Sequence, residues 1–255
     1  DQFKGVIFMI LASLFFAIND SLVKFAVKDI QHDNALFQVI FIRGFITCFL
    51  ILMLIIFSNK FDYKKLFYDK RSYIRAVFEV MAAFSFLISL IIMPMADVYT
   101  LLNTAPLIIT AAGAILLKEK VGLRRWSAVV IGFIGVLFVV NPTELKFGYI
   151  VILPLLTAIF LTFRDVVTRG YKQTSNSLEI IFITSLFVTI AFGVVSFFFA
   201  SYISYNNLIY IFISSIALTM AYLFSVLTII YAPLSLTSST RYSVIIFGII
   251  FGYIF

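Results

Sequence analysis

Long apolar runs alternate with short polar breaks along the whole chain. The first run, FKGVIFMILASLFFAINDSLVKFAV from Phe3, is long enough to cross a bilayer, which takes about 20 apolar residues at about 1.5 Å rise each. Spans of this kind, each closed by a polar break, predict nine membrane helices at about 3–27, 35–57, 72–92, 96–117, 126–141, 147–168, 178–200, 207–230 and 232–255. Inside the first lies Asn19-Asp20, about two turns from its far end, where an unpaired carboxylate would cost several kcal/mol of desolvation. Lys24, four residues on and on the same helical face, is its local partner.

Composition sharpens this picture. Of 255 residues 63% are hydrophobic and 12% charged, against about 25% charged in an ordinary soluble domain. With one His (His32, in a polar loop) and one Cys (Cys48, in an apolar run), a metal site of N and S ligands, a disulfide and a Cys-His or Ser-His catalytic pair are all excluded. No enzyme activity, cofactor or metal is expected. The net charge of +7 has a topological explanation rather than a nucleic-acid one. With the N-terminus in the cytoplasm, Lys4, Lys60, Lys64, Lys65, Lys70, Arg71, Lys118, Lys120, Arg124, Arg125, Arg169 and Lys172 fall inside, and only Lys28 and Lys146 fall outside. The first run is too long for a cleavable signal peptide.

The sixth span repeats the device of the first. ASLFFAINDSLVKFAV (12–27) aligns with TAIFLTFRDVVTRGYK (157–172) at an offset of 145, matching Asp20 to Asp165 and Lys24 to Arg169. EVMAAFSFLISLIIMP (79–94) aligns with LTMAYLFSVLTIIYAP (218–233) at an offset of 139, matching Pro94 to Pro233. The longer basic loop at 58–71 accounts for the difference in offset. A repeat of five spans crosses an odd number of times, so its second copy is inserted upside down, as in many secondary transporters with a midplane substrate site. The expected fold is an all-α polytopic membrane protein of two inverted five-helix repeats, residues 1–142 and 143–255. The Asp-cation pairs serve either to lock each helix in its half or to gate a substrate path.

Within NTAPLIITAAGAILLKEKVGLRRWSAVVIGFIGVLFVVNP (103–142), Pro106, Lys118-Glu119, Gly132-x-x-Gly135-Val136 and Asn141-Pro142 give a segment that resembles the EamA-type branch of the drug/metabolite transporter superfamily. Arg43 in FIRGFITCFL resembles the arginine that members carry in the second span. The resemblance implies ten helices, cytoplasmic termini and a central cavity lined by the third, fourth, eighth and ninth. On that pattern the chain reads as a fragment, because it begins with Asp and stops before a tenth span. AINDSLVKF, Arg75 in YIRAVFEVMAAF and TRY (240–242) are similar to members proposed to carry S-adenosylmethionine.

On the helices that the resemblance places at the cavity, polar stripes supply the candidate substrate residues. Tyr99, Asn103, Pro106 and Thr110 share a face of the fourth span, Ser215, Thr219 and Tyr222 one of the eighth, and Ser235, Ser239 and Tyr242 one of the ninth. Small hydroxyl residues also let membrane helices pack closely, so both roles stay open. Pro106 is expected to kink or weaken its helix. Among the charges, Glu79 can pair with Arg75 at i, i+4 and Asp165 with Arg164 or Arg169, while Arg75 and Arg164 could instead snorkel to the surface. Arg43 and Arg241 have no local acid. Arg241 lies too deep to snorkel, and therefore holds either a substrate carboxylate or a distant acid, Glu79 or Asp20. These residues predict an inner-membrane secondary transporter for a small polar, carboxylate-bearing metabolite such as an amino acid or derivative. S-adenosylmethionine is the alternative substrate, and a non-transporting scaffold or receptor the alternative class. The expected partners are a small-molecule substrate and the lipid bilayer, not nucleic acid; the sequence does not encode oligomeric state. Since each embedded acid has a cation within one turn, exchange or facilitated movement is expected rather than obligatory proton symport.

Overall fold

The computed structural model describes residues 2–28, 35–57, 70–93, 98, 101–140, 148–169, 177–198 and 203–233, together with 236, 237, 240, 241, 243, 247 and 250. Predominantly apolar sequence without internal proline gives three long helices in succession: α1 (Gln2–Lys28), α2 (Ala35–Phe57) and α3 (Lys70–Ile92). After them come α4 (Ala105–Leu116), α5 (Leu123–Val140), a short 3-10 turn (Gly148–Val151) leading into α6 (Ile152–Arg169), then α7 (Ser177–Phe197) and α8 (Tyr205–Tyr231). Ser204 starts α8 by accepting a hydrogen bond from the Asn207 amide, a side-chain cap. Among the described residues, six segments are long and apolar enough to cross a membrane: Gln2–Val27, Ala35–Phe57, Lys70–Ser89, Gly148–Arg169, Leu178–Phe197 and Tyr205–Tyr231. The ninth expected span, 232–255, lies mostly outside the described residues.

The fourth span is interrupted just before Pro106, the residue expected to kink or weaken it. Asn103-Thr104 form a turn, and α4 restarts with Pro106 in its first helical turn, where a proline costs no backbone hydrogen bond. The stripe from Tyr99 to Thr110 assumed an unbroken 3.6-residue period, so this turn breaks it. Thr110 donates to the Pro106 carbonyl at 2.8 Å, and Asn103 is half-buried within the turn. At the other end of α4, Lys118 adopts left-handed backbone (φ 53°), and the Glu119 amide returns to the Gly113 carbonyl at 3.0 Å. That turn fixes where Glu119 stands. Of the Gly132-x-x-Gly135 pair, Gly132 receives the Leu107 side chain of α4 in close contact, while Gly135 faces open space.

Helices pair antiparallel. α1 runs against α8 through Phe8 and Phe15 on Phe224, Phe16 on Tyr222, and Phe25 on Tyr210. α3 runs against α6, with Phe78 stacked on Phe163 at 5.4 Å and the Thr157 hydroxyl donating to Ser85 at 3.0 Å. α2 meets α7, and Phe192 of α7 stacks on Phe84 of α3 with centroids 4.4 Å apart. Aromatic pairs of this kind contribute about 0.5–1.5 kcal/mol each beyond their buried area. Lipid is as apolar as the packed side chains, so close contact and internal hydrogen bonds, rather than expulsion of water, hold the bundle together. Most buried Ser and Thr hydroxyls accordingly donate to the carbonyl one turn back, as Thr162, Thr168, Thr184 and Thr219 do. Phe3, Phe45, Phe57 and Phe197 lie exposed on the outside, as lipid-facing side chains do.

Candidate functional site

α6 carries Arg164 and Asp165 side by side, and its packing against α3 takes both out of solvent: Asp165 is 0% and Arg164 4% exposed. Two such charges persist only with good partners, because burying either alone costs several kcal/mol. Arg164 supplies them in two directions. Its Nε and Nη2 both reach Asp165 Oδ1 at 2.8 Å, and its Nη1 reaches Glu79 Oε2 on α3 at 2.9 Å. Glu79 Oε1 accepts the Tyr222 hydroxyl of α8 at 3.3 Å, and Asp165 Oδ2 accepts Arg241 Nη2. A continuous chain, Tyr222, Glu79, Arg164, Asp165, Arg241, thus links α8, α3, α6 and the segment beyond α8.

The structure replaces several locally expected pairs. Glu79 binds Arg164 and Tyr222 rather than its i, i+4 neighbour Arg75. Arg75 does not snorkel: it is 1% exposed, its Nε donates to Thr168 Oγ1 at 2.9 Å, and its Nη1 donates to Thr184 Oγ1. Arg164 is likewise buried rather than snorkelling. Asp165 pairs with Arg164 and Arg241 and not with Arg169. Arg241 finds its acid in Asp165, not in Glu79 or Asp20. Arg169 caps the end of α8 instead, donating from Nη1 to the Ile229 and Ile230 carbonyls at 2.8 and 3.1 Å, with Glu119 Oε1 at 3.7 Å from its Nε. Packing decided these partners, whereas sequence spacing offers only neighbours one turn away.

A second cluster sits on α1 and α2. Arg43 Nη1 donates to Asn19 Oδ1 at 3.1 Å, and Asn19 Nδ2 donates to Asp20 Oδ1 at 3.0 Å. Ser215 of α8 donates to the Arg43 backbone carbonyl at 3.2 Å. Arg43 lies within electrostatic reach of Asp20 and Tyr222, so Tyr222 stands between the two clusters. The Nε of Arg43 is buried without a hydrogen-bond partner among the described residues, as is that of Arg241. Tyr99, Tyr242, Ser235, Ser239 and the Lys24 side chain lie outside the described residues. Sequence reasoning passed over Thr168, Thr184 and Asn19 as partners. The only signal for Thr168 was its place one turn beyond Arg164, on the same face.

The described residues form a polytopic helical bundle with charges paired in its interior, an arrangement that in membrane proteins commonly lines a substrate or ion path. A family model described as the EamA-like transporter family matches residues 3–141, more than half the chain, and the chain belongs to that family. Among curated relatives, a riboflavin transporter of Vibrio cholerae is 40% identical over 60 residues, 24% of this chain and 20% of that protein. A riboflavin transporter of Rhizobium johnstonii is 26% identical over 40% of this chain and 34% of its own length. An S-adenosylmethionine uptake transporter of Rickettsia prowazekii is 21% identical over 72% of this chain and 60% of its own length. The chain therefore spans less than two thirds of each of these relatives.

Proposed function

We propose that the protein is a secondary transporter that moves a small polar metabolite bearing a carboxylate, of amino-acid type, by alternating access. The observation that carries the carboxylate is a charge imbalance: deep in the expected spans stand Lys24, Arg43, Arg75, Arg164 and Arg241 against Asp20, Glu79 and Asp165. Glu79 and Asp165 are taken up by Arg164 and Arg241, and cations remain in excess for an anion that arrives with the substrate. The helix pairing supports the inverted repeat, because exchanging the copies turns the α1–α8 contact into α6–α3 and maps α2–α7 onto itself. A scaffold would have no use for that symmetry around buried charges.

S-adenosylmethionine is the second reading, supported by the relative that aligns over most of this chain. It ends in an amino-acid carboxylate, so both readings call on the same arginine. Riboflavin carries no carboxylate and separates them from the reading suggested by the other two relatives. The deciding assay reconstitutes the purified chain in liposomes and follows labelled methionine, S-adenosylmethionine and riboflavin. The expected result is uptake of a carboxylate-bearing probe, faster when the vesicles are preloaded with it and indifferent to an imposed proton gradient. No uptake of any probe would support the scaffold.

The proposed location is the inner membrane with a cytoplasmic N-terminus, since the loop at 58–71 holds five cations. In intact cells carrying Cys48→Ser, a cysteine at Lys64→Cys is expected to resist impermeant thiol reagents and to react once the cells are opened. Labelling from outside would invert the whole map.

A further inference from the structure

We propose that Arg43, rather than Arg241, grips the substrate carboxylate, through the edge formed by its Nε and Nη2; this rests on the transporter reading above. The other arginines are already committed. Arg164 uses all three nitrogens on Glu79 and Asp165, Arg75 is held by Thr168 and Thr184, and Arg241 places Nη2 on Asp165. Arg241 also has an unpartnered Nε, but the nitrogen that completes that edge is occupied. Among the described residues, the hydrogen bond of the Arg43 guanidinium leaves from Nη1 to Asn19, on the opposite side from Nε.

Bidentate carboxylate recognition needs two parallel N–H groups, and the Nε and Nη2 edge presents them. A buried guanidinium N–H without an acceptor is costly, and a ligand oxygen removes that cost. Arg43 stands eight residues into α2, about 12 Å along the helix from its start, too deep to be wetted at the membrane surface. Its side chain is nonetheless only half-buried, held at Nη1 by Asn19 of α1, while its backbone carbonyl accepts from Ser215 of α8. At that depth the exposed part faces a path between helices rather than lipid. Tyr222, within electrostatic reach of Arg43, is bonded to Glu79, which puts the Arg43 edge near the buried chain of charges. Arg43 thereby becomes the specificity determinant for an anionic terminus.

The test deletes the two sides of the contact separately. Binding of methionine and S-adenosylmethionine, and of methioninamide as the probe without a carboxylate, is measured by calorimetry on the detergent-purified chain and on Arg43→Lys and Arg43→Gln. Folding of each variant is checked by thermal melting. In the parent protein the amide is expected to bind about ten- to a hundredfold more weakly than methionine. Arg43→Lys should lose a similar factor for methionine, and in Arg43→Gln the acid and the amide should bind alike. Folded variants that still prefer the acid by the parent's factor would overturn the proposal. So would failure of both variants to fold, which would assign Arg43 to structure, and so would a parent protein that binds neither carboxylate probe. Riboflavin uptake without carboxylate binding would sink the Arg43 site and leave the transporter reading standing, whereas absence of any uptake removes both.

Discussion

Arg164→Gln is expected to be the most destabilising single substitution in the bundle. It removes the cation between Glu79 and Asp165, both buried, and leaves Glu79 with only the Tyr222 hydroxyl. Removing one member of a buried ion pair costs about 3–5 kcal/mol, because the remaining charge has neither water nor partner. Asp165 retains Arg241, so the deficit falls mainly on Glu79. Glu79→Gln on the Arg164→Gln background should therefore recover part of the loss, with a coupling of about 0.5–3 kcal/mol in a double-mutant cycle. Melting of the four proteins in detergent checks this. Additive losses would mean that the two side chains do not act as a pair.

The second large effect is steric and lies where α2 meets α7. A Cβ added at Gly44 would sit 2.5 Å from Thr189 Oγ1 and 3.3 Å from Thr189 Cβ. Thr189 has little room to yield: its hydroxyl donates to the Ser185 carbonyl at 2.7 Å and lies 3.5 Å from Cys48 Sγ, and its β-branch limits it to few rotamers. Overpacking of this kind costs about 1–3 kcal/mol. Gly44→Ala should lower the melting temperature, and Thr189→Ala, which removes the obstructing oxygen, should restore most of it. An undiminished melting temperature in Gly44→Ala would show that the helices separate there at no cost.

Much of the bundle was legible because the membrane ties helix length to hydropathy. The expected 35–57 coincides with Ala35–Phe57, and the expected 178–200 and 207–230 differ from Ser177–Phe197 and Tyr205–Tyr231 by no more than three residues. In the fourth span the weakening expected at Pro106 takes the form of a turn at Asn103-Thr104 ahead of α4, whose position hydropathy alone does not mark. At the site, the sequence identified which residues carry charge but not which ones meet. Glu79 and Arg164 are 85 residues apart and Asp165 and Arg241 are 76 apart, separations that carry no local signal. Arg169 shows the same limit, since it serves the end of α8 and not the Asp one turn before it. The match of Asp20 with Asp165 nonetheless falls on α6, the helix at the centre of the network.

The distance along the chain between Glu79 and Arg164 also sets an order of events during synthesis. At about 5–20 residues per second, α3 waits roughly 4–17 s before Arg164 is made. During that interval Arg75 and Glu79, one turn apart on the same face, have only each other as a local counter-charge. The i, i+4 pair absent from the finished bundle would thus lower the cost of inserting α3 on its own. When α6 arrives, Arg164 takes over the carboxylate and Thr168 takes over the guanidinium. A helix that entered the bilayer with its charges mutually neutralised would complete its packing by exchanging partners, once α6 had been threaded beside it.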